Sequence, residues 1–210
     1  SRSEGREGGR EVKTRILELA ANQFKNGSSY HKFFPLTKTG EKGGYSDDPL
    51  WLILASAAYM KETGDTAFLD EKVKFVDGPA ASMYEHLKKA IDFVLSEKGP
   101  KGFVLMRFAD WNDCLNLGAD NEVAETTWVP LLLYLGIKEF LEMADYLDRE
   151  SDYEKYNEIA EAVKANYEKN AWDGKWYIRG IDKYGAPVGS AKCKESGIID
   201  LLPQAWAVIS

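Results

Sequence analysis

Beyond its first ten residues the chain repeats apolar side chains with the period of an α-helix. Val12, Ile16, Leu19, Ala20 and Phe24 mark one face of a helix expected to end near Asn26-Gly27. Met83, Leu87, Ala90, Ile91 and Val94 mark a second, stopped by Gly99-Pro100. A long third runs from Val129 through Leu132, Leu133, Ile137, Phe140, Leu141 and Ala144 to Leu147. The fourth carries Tyr156, Ile159, Ala160, Val163 and Tyr167, with Ser151 and Glu154 spaced as a capping box at its start. Each of these buries a single stripe. PLWLILASAAYM, residues 49–60, is apolar around nearly its whole circumference and predicts an inner helix covered on all sides. Amphipathic helices layered around buried ones predict an all-α helical barrel or toroid, with short extended pieces at 102–108 and 176–179.

The ends of the chain differ from its middle. SRSEGREGGR, residues 1–10, has no apolar side chain and is expected to be a disordered lead-in. Residues 11–210 are expected to form part of one barrel domain. PQAWAVIS stops in mid-pattern at Ser210, so that domain is expected to be truncated at its C-terminus.

Composition narrows the function classes. Of 210 residues, 27 are Lys or Arg and 34 are Asp or Glu, a net charge of −7. An acidic chain without basic clusters is a poor partner for nucleic acid or an anionic membrane. No apolar stretch is long enough for a bilayer, and none with a cleavage site opens the chain. Cys114 and Cys193 are too few for a disulfide framework, so a reducing, cytoplasmic setting is expected. His31 and His86 are read as structural, no HExxH occurs, and no metal is expected. Neither a GxGxxG nor a P-loop string calls for a nucleotide cofactor, and there is no GxSxG elbow. The 6 Trp, 11 Tyr and 9 Phe are a core complement first, but aromatic faces beside carboxylates also suit a sugar cleft.

Candidate chemistry concentrates in FADWNDCLNL, residues 108–117. Asp and Asn gather in turns because they cap nearby N–H groups. That accounts for about two of them, and not for a Trp set among them between apolar flanks. Burying the mixture costs free energy unless a ligand pairs the polar groups. A carboxylic acid beside an indole in a partly dry cleft is held protonated, as a general acid requires. In YSDDPLW, Asp48-Pro49 is a normal helix start, which needs only one of Asp47 and Asp48. The other is free for polyol hydroxyls. GSAKCKESG, residues 189–197, reads as a polar loop, and Trp172 to Tyr177 as a hairpin around Asp173-Gly174.

YHKFFPLTKTG, YSDDPLWLILA, FADWNDCLNLG, AWDGKWYIRGID and LPQAWAVIS, in this order, resemble the inverting glycoside phosphorylases of glycoside hydrolase family 94. The resemblance covers nearly all of residues 12–210. It implies the front part of an (α/α)6 barrel with short β-hairpin insertions, within a protein several times longer. By position it implies Asp113 as general acid, Trp111 as a wall of the donor-sugar subsite and Asp48 as a binder of donor hydroxyls. Lys42 stands six residues before Asp48, where the family often has Arg, and lacks its planar fork. Glu195 resembles an acceptor-side acid. The implied reaction is phosphorolysis of a β-linked disaccharide or oligosaccharide to an α-sugar 1-phosphate, with inorganic phosphate as co-substrate and no cofactor. The short stretch after DWND leans toward longer or differently linked glucans. A homodimer or a complementing C-terminal segment are the partners this admits. Two alternatives remain at this point: an inverting hydrolase with Glu125 or Glu195 as base, and a catalytically incomplete sugar-binding piece.

Overall fold

The structure, a computed structural model, describes residues 2–115, 117, 123–194 and 197–210, and the side chains from residue 8 onward. About half of the chain is helical, and its short strands are all antiparallel. It divides into two compact units, residues 1–43 with 48–93, and residues 44–47 with 94–210.

In the first unit, α1 (Arg2–Ala21) packs on α2 (Asp48–Thr63). β1 (Lys32–Phe34) and β2 (Thr39–Glu41) form a hairpin, with Phe33 opposite Gly40. A 3-10 turn (Thr66–Asp70) leads to β3 (Lys72–Lys74) and β4 (Ala80–Ser82), and then to α3 (Met83–Ser96), whose last turn falls in the second unit. Ile16, Ala20, Leu50, Ile53, Phe68, Leu69, Met83, Leu87 and Ile91 are buried and supply the core.

The periodicity located α2 and α3, but three expectations change here. α1 begins at Arg2, so the helix takes in residues expected as a disordered lead-in. That helix also stops at Ala21, well before Gly27. Gly27 is instead a contact glycine: at φ 96° it passes against α3, and a Cβ there would lie 1.9 Å from the Lys89 carbonyl oxygen. Finally, α2 buries Leu50, Leu52, Ile53, Ser56, Ala57 and Tyr59, while Trp51 and Ala58 are exposed, so one face is covered rather than all. His86 behaves as the structural histidine expected. It is buried against Phe75, with its ring nitrogens on Gln23 Oε1 at 2.6 Å and the Val73 carbonyl at 3.0 Å.

In the second unit, β5 (Val104–Leu105), β6 (Glu125–Thr126), β7 (Gly180–Ile181) and β8 (Pro187–Val188) form one four-stranded sheet in the order β5-β6-β7-β8. The expectation of isolated hairpins understated this. Strands of two residues carry no readable period, and the sheet gathers segments far apart in sequence. α4 (Trp128–Tyr146) and α5 (Glu150–Ala171) form the main helix pair, with Phe140 edge-on to Tyr156 at 5.0 Å. The expected capping box at Ser151 does not form. The turn between the helices is so short that α5 already starts at Glu150, with Arg149 as N-cap and no side-chain bond. Trp172 pairs with Tyr177 across the Asp173-Gly174 turn, as the hairpin reading requires. α6 (Leu201–Ile209) is capped by the Asp200 carboxylate, which accepts from the Leu202 N–H at 2.8 Å. Trp206 meets Trp128 edge-on at 5.5 Å, while Leu201, Ala205, Val208 and Ile209 are exposed. No helix among the described residues is long and apolar enough to cross a membrane.

Candidate active site

The DWND segment is a loop of the second unit, and its rigidity starts from a buried charge pair. Asp110 and Arg179 are both fully buried, with Arg179 Nη2 donating to Asp110 Oδ1 at 2.7 Å. The Thr126 hydroxyl donates to Asp110 Oδ2 at 2.6 Å and accepts from Arg179 Nη1 at 3.3 Å. Asp200 Oδ2 stands 3.7 Å from Arg179 Nε. Desolvating two charges is tolerable only when each is paired and hydrogen-bonded; Asp110 and both Arg179 Nη atoms meet that condition, while Arg179 Nε makes no hydrogen bond and has only Asp200 at ion-pair range. The run YIRGI, which leads into β7, explains the placement. Ile178 and Ile181 point into the core, and β6 and β8 flank Arg179 closely enough for its N–H to donate to the Val188 carbonyl at 2.7 Å.

From this anchor the loop climbs through turns made by its own side chains. Asp110 Oδ1 accepts from the Asn112 N–H at 3.1 Å, and Asn112 Oδ1 accepts from the Cys114 N–H at 3.1 Å. The other side of the loop is tied to residues 44–46. The Ser46 N–H donates to the Ala109 carbonyl at 3.1 Å, and the Phe108 N–H to the Gly44 carbonyl at 3.0 Å. Above this base Trp111 is 60% exposed and Asp113 is exposed as well. The dry cleft expected around them is therefore not closed by this chain's own described residues, and the loop presents an indole and a carboxylate outward.

In the first unit, Asp48 opens α2 and lies half-buried in a hollow of about 210 Å³. Tyr30, His31, Phe33, Trp51 and Leu52 line it beside Asp48. His31 Nδ1 stands 3.0 and 3.2 Å from the two Asp48 carboxylate oxygens. An ionised carboxylate only accepts, so Nδ1 carries the proton. Aromatic walls around a held carboxylate suit an apolar sugar face and its hydroxyls. Lys42 does not line this hollow. It is exposed, with its ammonium 4.0 Å from the centroid of the Phe24 ring. Glu195 lies outside the described residues.

Glu125 departs from one sequence expectation. It is buried on β6, where its carboxylate accepts from the Lys101 N–H at 3.0 Å and the Phe103 N–H at 3.0 Å. Burial pushes its carboxyl up, and the two N–H groups oppose that. Its carboxylate holds the turn at residues 99–103, away from water, which weighs against its use as the base of a hydrolase.

A family model described as "Glycosyl hydrolase 94 superfamily, catalytic domain" matches residues 9–210. The chain belongs to the glycosyl hydrolase 94 superfamily. Among curated relatives, this glycosyl hydrolase 94 chain is 40% identical over 173 residues to the N,N'-diacetylchitobiose phosphorylase of Vibrio proteolyticus, covering 81% of the chain and 21% of the relative. It is 34% identical over 200 residues to the solabiose phosphorylase of Paenibacillus borealis, covering 95% and 25%. With the cyclic beta-(1,2)-glucan synthase of Rhizobium meliloti it shares 31% over 217 residues, covering 95% of the chain and 8% of the relative. The chain thus spans a quarter or less of the length of these relatives. A rhamnosidase of Klebsiella oxytoca, solved with rhamnose bound, has the same fold over 94% of the chain and 34% of its own, with TM-score 0.62 and 16% identity.

Sequence reasoning missed three residues of this glycosyl hydrolase 94 chain. His31 was assigned to structure without its carboxylate partner, because seventeen residues separate it from Asp48. Arg179 had a readable signal: a lone cation inside the apolar run YIRGI must be buried, and so needs a carboxylate. Asp173 was read only as a turn residue. It also accepts from the Ser190 hydroxyl at 2.9 Å and the Ala191 N–H at 2.6 Å, holding the start of the 190–194 loop. Burial pushes its carboxyl up, but the Ala191, Trp176 and Lys175 N–H groups outweigh that and hold it down at about 2.

Proposed function

We propose that this chain is the front part of an (α/α)6 catalytic barrel whose protein cleaves a β-linked disaccharide or oligosaccharide by inverting phosphorolysis. A phosphate oxygen bonds to the anomeric carbon as the glycosidic bond breaks on the opposite face. The Asp113 carboxyl gives its proton to the departing oxygen, and the products are an α-sugar 1-phosphate and a shortened acceptor. By the family resemblance, Asp48 and Trp111 are donor-sugar residues and Glu195 an acceptor-side acid, while Lys42, exposed against Phe24, has no contact with the Asp48 hollow that would support a donor role. No cofactor is required. Phosphate is already an anionic nucleophile, so one carboxylic acid suffices where an inverting hydrolase needs a second to activate water.

The observation that carries this reading is the DWND loop, which buries its first aspartate in an ion pair and leaves the second, Asp113, exposed, as is Trp111 two residues before it. Membership of the glycosyl hydrolase 94 superfamily and the phosphorylase relatives support it. Burial of Glu125 weighs against its use as a hydrolytic base. The relatives named above act on different sugars, so the donor is found by screening. The full-length protein is incubated with β-1,2-, β-1,3- and β-1,4-linked glucose disaccharides, N,N'-diacetylchitobiose and inorganic phosphate, and sugar 1-phosphate is measured. Release from at least one is expected. Release of free sugars only, at rates independent of phosphate, overturns the reading in favour of hydrolysis.

A further inference from the structure

The backbone on either side of the Asp113 carboxyl is held by hydrogen bonds within its own loop. On its N-terminal side, the Asn112 N–H donates to Asp110 Oδ1 at 3.1 Å; on its C-terminal side, the Cys114 N–H donates to Asn112 Oδ1 at 3.1 Å. The Leu115 N–H closes the turn on the Asn112 carbonyl at 2.9 Å. Asp110 is itself hydrogen-bonded by Arg179 at 2.7 Å and Thr126 at 2.6 Å, all three groups being fully buried. Hydrogen bonds therefore tie the buried guanidinium through Asp110 to the Asn112 backbone, and the Asn112 side chain in turn holds the peptide that follows the exposed carboxyl. Turns that serve only to reverse the chain do not need a buried ion pair at their base, since their N–H groups are satisfied by water.

We propose that Asp110 and Asn112 are positioning residues for Asp113, with Arg179 as their buried anchor, setting the direction from which the carboxyl reaches the departing oxygen. This rests on the assignment of Asp113 as general acid. Proton delivery tolerates little misplacement, so loosening the loop slows the step that needs the proton and spares the steps that do not.

The test separates these by leaving group. The full-length protein and its Asn112→Ala, Asn112→Asp, Asp110→Asn and Asp113→Asn variants are assayed with phosphate and two donors. One is the disaccharide found in the screen above; the other is the β-glycosyl fluoride of the same donor sugar, whose fluoride departs without a full proton transfer. Asn112→Ala and Asp110→Asn are expected to lower kcat on the disaccharide by about 10- to 100-fold with KM little changed. On the fluoride they are expected to stay within about threefold of the parent, because the donor site is intact. Asn112→Asp keeps the acceptor oxygen and restores most of the disaccharide rate. Asp113→Asn shows the same selectivity in a stronger form. Asn112 is only half-buried, so its variants remain informative if Asp110→Asn fails to fold. Parallel loss on both donors in Asn112→Ala, or no loss on either, overturns the positioning role while Asp113→Asn remains selective. An unselective Asp113→Asn overturns the acid assignment itself.

Discussion

Arg179→Met is the most informative perturbation of the second unit. The substitution removes the guanidinium while keeping an unbranched apolar stem, so Asp110 stays buried with the Thr126 hydroxyl and the Asn112 N–H as partners but no counter-charge. Removing one member of a buried pair costs about 3–5 kcal/mol, because the remaining charge is stranded. For a chain of this size that is a fall of roughly 6–20 °C in melting temperature. Asp110→Asn is expected to cost less, since Arg179 then still has Asp200 Oδ2 at 3.7 Å and the Thr126 hydroxyl. The double variant leaves no charge stranded, so it is expected to be no worse than Arg179→Met alone, with a coupling of at least about 1.5 kcal/mol. Urea unfolding of the four proteins measures all of this, and raising the salt concentration should change the coupling little, because the pair is dry. Single variants within about 1 kcal/mol of the parent, or strictly additive effects, refute the reasoning.

Other outcomes follow from the same geometry. Gly99→Ala places a Cβ 2.4 Å from Glu125 Cγ, which two peptides hold fixed, so unfolding midpoints should report a loss of about 1–3 kcal/mol; an unchanged midpoint contradicts the packing. Asp173 is held at about 2, below the ordinary aspartate value of about 3.9. Its contribution is therefore complete above about pH 4 and lost as pH falls toward 2, so stability measured between pH 5 and pH 2.5 should fall less steeply in Asp173→Asn. Equal slopes would count against the bonds to residues 190–191. His31→Ala removes one donor to the Asp48 carboxylate and should raise the KM for the donor sugar about tenfold with a smaller change in kcat, whereas steady-state constants equal to the parent's would detach the pair from sugar binding.

The long helices were readable because their stripes are long. Met83 to Val94 and Val129 to Leu147 repeat often enough to place α3 and α4 within a residue or two. The Asp173-Gly174 turn and the unusual composition of DWND were equally plain. Local signals failed where tertiary structure decided. Ser151 and Glu154 have capping spacing, but the tight turn out of α4 starts α5 before them. Gly27 looked like a helix end because the contact with Lys89 that demands it is distant in sequence. The strands β5 to β8 are too short for any period, and with them went the partners of Asp110 and the burial of Glu125. Asp110 and Asp113 look alike in the string DWND. Only Arg179, just before β7 and far away in sequence, tells the structural carboxylate from the exposed one.

The central claim is that phosphate, not water, takes the sugar, with its proton for the leaving group coming from Asp113. The most direct measurement follows the anomeric product by NMR, with the full-length protein and its Asp113→Asn variant, in the presence and absence of inorganic phosphate. The account predicts α-sugar 1-phosphate from the parent only when phosphate is present, and a rate for Asp113→Asn lower by at least about a hundredfold. Undiminished turnover in Asp113→Asn, or β-sugar 1-phosphate as the product, contradicts it.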